Sequence, residues 1–206
     1  MFGKQFDLLL LKYFFNMKYL AIAALAFFAG CGGGDKKGDG TKKNEPLAQN
    51  KNSSAFNDKF RNLLANYYRL KDAFVASDDA LAAANAKALI ASADTLNLQE
   101  VKADSSIVEM AKQYIGSISS EAKALVAEPN LEAKRKSFQM ISDNMYDLVR
   151  TVHFDKEIVY HQFCPMAFND AGAYWLSQTA DIKNPYFGKK MLTCGEVKDS
   201  IDFIGK

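Results

Sequence analysis

The chain has 206 residues, of which 49% are hydrophobic and 24% charged, a composition that suits one globular domain plus accessory segments and excludes wholesale disorder. Beyond residue 30 the acidic and basic residues balance, so nothing in the charge points to nucleic acid or an anionic membrane surface as a partner.

The N-terminus has the marks of an export signal. Lys18 follows Met17, residues 19–29 form a short apolar stretch, and Phe28-Ala29-Gly30-Cys31 closes it with small residues. Eleven apolar residues are too few to span a bilayer as a helix. The last four residues resemble the bacterial lipobox, which implies acylation of Cys31 and a lipid anchor as the chain's only membrane attachment. Residues 1–30 are therefore expected to be a lipoprotein signal peptide, with Met17 as the natural start and residues 1–16 as an upstream mis-start. Residues 31–53 carry a glycine run, several lysines and almost no large apolar side chain. They are expected to form a flexible tether, because such a segment cannot bury enough surface to offset its ordering entropy.

Four helix-period segments follow within the expected domain, 54–206. Phe56, Phe60, Leu63, Leu64, Tyr67, Leu70, Phe74 and Val75 recur at three- and four-residue steps. Ser77-Asp78-Asp79 interrupts them and offers a cap for an alanine-rich second helix, whose inner side is read as Leu81, Ala84, Ala88, Leu89 and Leu96. A linker packs Leu98 and Val101, and a third helix starts near Asp104 with Ile107, Ala111, Tyr114, Ile118, Ala122 and Leu125 inside. Pro129 ends it. Asn130 caps the fourth, which carries Leu131, Phe138, Ile141, Met145, Leu148 and Val152 inward, with Lys134, Arg135 and Lys136 expected in solvent. The fold class is read as all-α: an up-and-down four-helix bundle with a small aromatic, loop-rich C-terminal segment holding short strands at most.

That segment, 158–204, carries the chemistry. Ile158 to Phe163 alternates like a strand, and Tyr174, Trp175, Tyr186 and Phe187 read as its core. Cys164-Pro165-Met166 and Met191-Leu192-Thr193-Cys194 pair a thiol with a thioether twice, in mirrored order. Cys and Met sulfurs are soft ligands that suit Cu(I) or Ag(I). In a strand Cys164 and Met166 would point to one side, and Met191 and Cys194 suit a tight turn. His161, three residues before Cys164, is a possible further ligand. The rival reading is a Cys164–Cys194 disulfide with Met166 and Met191 as core filler, since an exported chain that spends Cys31 on a lipid keeps an even pair. Closing that loop contributes roughly 3.5 kcal/mol in the chain-entropy account.

The stretch Cys164 to Val197, CPMAFNDAGAYWLSQTADIKNPYFGKKMLTCGEV, resembles the end of an uncharacterised bacterial domain family, a domain of unknown function also found at the C-terminus of CusB-type adaptors of heavy-metal efflux pumps. The resemblance extends over roughly residues 55–204. It implies copper or silver handling beside an efflux adaptor or pump, in the cell envelope on its periplasmic or cell-surface side. No nucleophile–base motif, nucleotide loop or zinc-protease signature is present, so no enzyme activity is expected. Two functions remain open: a soft-metal lipoprotein, or a disulfide-stabilised interaction module without metal.

Overall fold

The computed structural model describes residues 52–205. The expected signal peptide, Cys31 and the tether, apart from its last two residues, lie outside the described residues.

Helix α1 (Ser54–Ala76) starts where Ser53 Oγ accepts from the Phe56 N–H at 3.0 Å. Its expected stripe is buried from Phe56 to Phe74. It ends in a left-handed Ser77, with Ser77 N–H donating to Phe74 O and Asp78 N–H to Ala73 O, the paired closure that satisfies terminal carbonyls. Asp78 Oδ1 then accepts from Leu81 N–H at 2.9 Å and caps α2 (Asp79–Asp94). The inner face of α2 departs from expectation: Ala82, Ala86, Leu89 and Ala93 are buried, whereas Leu81 is 46% exposed and Ala84 lies outside. An alanine-rich helix has so little polarity contrast that its phase is set by the neighbouring helices, not by its own pattern.

Helix α3 (Ser105–Ala127) stops at the residue before Glu128-Pro129, and Asn130 Oδ1 caps α4 (Leu131–Thr151) by accepting from Ala133 N–H. Consecutive helices pack on one another. Helix α1 meets α4 through rings, with Tyr67 and Phe74 at 5.6 and 4.8 Å from Phe138. Lys134 and Arg135, expected in solvent, are 3% and 8% exposed. Lys134 Nζ bonds Asp79 and the Glu128 carbonyl, while Arg135 Nε donates to Pro185 O at 3.0 Å. Charge in a first turn marks solvent only when no later loop folds over it. Here Pro185 of the Asn184–Met191 loop covers Arg135, while Lys134 turns back onto Asp79 and Glu128.

Helix α4 closes with His153 in the left-handed region, its ring 3.8 Å from that of Phe203. Beyond it the fold is not all-α. Strands β1 (Val159–Cys164), β2 (Ala173–Ser177) and β3 (Glu196–Ile201) form an antiparallel sheet in the order β2-β1-β3. The molecule is thus mostly helical with a small sheet. The phenol of Tyr67 binds that sheet to the helices: it accepts from Leu176 N–H at 2.9 Å and hydrogen-bonds Ser142 Oγ of α4 at 2.8 Å.

Candidate functional site

Cys164 is the last residue of β1, fully buried and opposite Ala173 of β2. Pro165 has no N–H to donate to the ladder, and the strand ends there. Cys194 arrives by a different route. Met191 to Cys194 make a turn closed by Cys194 N–H donating to Met191 O at 3.1 Å, and the chain enters β3 two residues later.

Asn184 holds this second route in place. Its side chain donates to Cys194 O at 2.7 Å and accepts from Tyr186 and Phe187 N–H. Its backbone donates to Leu192 O and accepts from Gly188 N–H. It is fully buried, so these bonds form away from competing water. Gly195 completes the approach: at φ +145° it lies so close to β1 that a Cβ would sit 2.8 Å from Phe163 O and 2.9 Å from the Trp175 ring.

The two cysteines meet. Their Sγ atoms are 3.2 Å apart, both as thiols, with Cys194 half-buried. Among the described residues each thiol's hydrogen-bond partner is the other. The Cys164 thiol beside it, reinforced by partial burial, raises the Cys194 pKa above its ordinary value and favours the protonated form. A tetrahedral ion bonding both sulfurs at about 2.3 Å would need them about 3.8 Å apart, and a covalent bridge about 2.0 Å. The observed spacing lies between, so either bond needs the thiol side chains to move.

The other candidate ligands do not join this pair through any hydrogen bond. Met166 sits on the turn after β1, not on the strand, and is 47% exposed, so the shared-side geometry expected for Cys164 and Met166 does not arise. Met191 lines a cavity between the end of α1 and the start of α4. His161 is three residues from Cys164 along an extended strand, and its ring lies between those of Tyr146 and Tyr174, at 3.8 and 4.5 Å. Burial lowers its pKa to about 4, helped by Arg150 and opposed by Asp199, so it is neutral at pH 7. Among the described residues no three side chains of His, Cys, Asp and Glu group so as to hold a metal. Nothing in the sequence marks Asn184 as the organiser of this loop, because a single Asn carries no sign of where its amide will point.

Residues 63–157 match the model of a family described as "Protein of unknown function (DUF3347)". The match covers most of α1 through α4 and ends before β1, so Cys164 and Cys194 both lie beyond it. No curated protein and no solved structure matches the chain.

Proposed function

We propose that this chain is an envelope lipoprotein, anchored through Cys31, whose up-and-down four-helix bundle carries a soft-metal site for Cu(I) or Ag(I). Cys164 and Cys194 are its ligands, and it serves as an accessory to a heavy-metal efflux adaptor or pump on the periplasmic or cell-surface side. The observation that carries the reading is the 3.2 Å thiol pair, one sulfur buried and the other reachable. A site built on sulfur alone favours soft ions over zinc, whose closed sites take four ligands and usually recruit imidazole or further thiolates. Deprotonation of Cys194 is part of ion uptake, since the thiolate is the ligand and its proton must leave. Met166 and Met191, on the turns adjoining the two cysteines, are the candidates for a third sulfur. The association with CusB-type adaptors rests on the resemblance of residues 164–197. No catalytic role is assigned.

The same separation favours a second reading, a Cys164–Cys194 disulfide that stabilises a metal-free interaction module of the envelope. One experiment separates them. Anaerobically purified protein is assayed for free thiols and for bound Ag(I) by native mass spectrometry, wild type against Cys164→Ser. Two free thiols and one silver ion per chain, lost in the variant, support the metal site. No free thiol and no silver uptake defeat it in favour of the disulfide.

A further inference from the structure

A cavity of about 720 Å³ opens between the end of α1, the start of α4, the turn Ala167–Asp170 and the loop that precedes Met191. We propose that it binds a small organic carboxylate with an apolar body. It uses neither Cys164 nor Cys194 and shares only Met191 with the metal reading.

Its size falls in the range of small-molecule sites. Arg135 forms part of the wall and is nine-tenths buried. Its guanidinium donates to Pro185 O, Glu132 Oε2 and, at 3.5 Å, Ser77 Oγ, using three of five N–H groups. One N–H on each of Nη1 and Nη2 is left for a ligand oxygen, on a guanidinium held in place by its other three bonds. Lys189 and Lys190 add positive charge at the rim, and the only acidic group in the lining among the described residues, Glu132, is already paired with Arg135. The remaining wall is apolar: Phe168, Tyr186, Phe187 and Met191.

Phe168 supplies a second line of argument. It sits at φ 53°, ψ 52°, followed by Asn169 and Asp170 in the same left-handed region. Asn and Asp tolerate that conformation, whereas a Phe there is strained. The strain places an aromatic ring in the cavity wall and edge-on to Tyr186, with centroids 5.4 Å apart. Strain held against packing is typical of ligand clamps.

The test titrates the ¹⁵N-labelled full chain with indole-3-acetate, with indole-3-ethanol as its neutral counterpart, and with inorganic phosphate. Expected are saturable shifts of the Phe168, Phe187 and Lys190 amides with the carboxylate, and affinity for the alcohol about tenfold weaker. The double variant Lys189→Glu/Lys190→Glu changes only exposed side chains and should weaken carboxylate binding by about tenfold, with an unchanged unfolding midpoint. Phe168→Gly keeps the left-handed backbone and should weaken both indoles equally. The proposal is overturned by an absence of saturable shifts at millimolar carboxylate, by equal binding of acid and alcohol, or by an unaffected double variant. Phosphate saturating the same amides at lower concentration would also overturn it, assigning the site to phosphoryl groups.

Discussion

The side-chain amide of Asn184 donates to the carbonyl of Cys194 at 2.7 Å, while its oxygen gathers the N–H groups of Tyr186 and Phe187. One buried side chain therefore fixes where the second thiol stands relative to the first.

Replacing it with Ala strands the buried Tyr186 N–H and takes the partner from the half-buried Phe187 N–H and Cys194 carbonyl. Asn184→Ala should destabilise the domain by about 3 kcal/mol. Urea unfolding should show a lower midpoint, and alkylation of Cys194 should become faster as its loop loosens. An unchanged midpoint would refute the organising role.

Gly195 makes a sharper prediction. Its φ of +145° and the 2.8 Å gap to Phe163 O leave no room for a methyl group. Gly195→Ala should cost about 2 kcal/mol or more from backbone strain and collision. Because the collision pushes the chain away from β1, the Cys164–Cys194 separation should widen. Loss of silver stoichiometry or of oxidative crosslinking, compared with wild type, reads that change.

The thiol pair predicts a reactivity that rises when one member is removed. Cys164 raises the Cys194 pKa chiefly through their hydrogen bond. In Cys164→Ala, Cys194 should react severalfold faster with iodoacetamide at pH 8, since more of it is thiolate. A slower or unchanged rate counts against that hydrogen bond.

Two groups give stability opposite pH slopes. His161, with its pKa lowered by burial to about 4, binds fewer protons folded than unfolded between about pH 6.5 and 4, so stability falls as the pH drops through that window. Asp143, raised to about 6 by burial and then by Asp147, binds more protons folded than unfolded between its ordinary 3.8 and 6, so its contribution is lost as pH rises through that window. His161→Phe, which keeps a ring between Tyr146 and Tyr174, should flatten the acid loss. Asp143→Asn should raise the urea midpoint at pH 7 more than at pH 4.

The four helices were legible because large apolar residues recur at helical steps and Asp78, Pro129 and Asn130 mark their limits. The phase of α2 was not, since alanine is admitted by either face. Strand β1 announced itself by alternation, but β3 did not. Glu196-Val197-Lys198-Asp199-Ser200 is an exposed edge whose identity comes from pairing with β1, not from its own side chains. The meeting of Cys164 and Cys194 was readable as a pairing of sulfurs. The departure of Met166 from the strand was signalled by Pro165, which has no N–H for the ladder and ends it at Cys164. Arg135 reads as a surface cation in sequence and becomes an internal anchor only once Pro185 folds against it.

The phenol of Tyr67 fastens Leu176 of β2 to Ser142 of α4. Detaching the sheet would break the Leu176 N–H bond to Tyr67 and uncover a phenol buried between them, so sheet and helices should open together and not in sequence. The Leu176 amide should then be among the slowest to exchange with deuterium, at a rate set by global unfolding. Tyr67→Phe should bring it down to the faster rates of local opening. The sulfur-bearing strand thus rides on the helical half as part of one cooperative body.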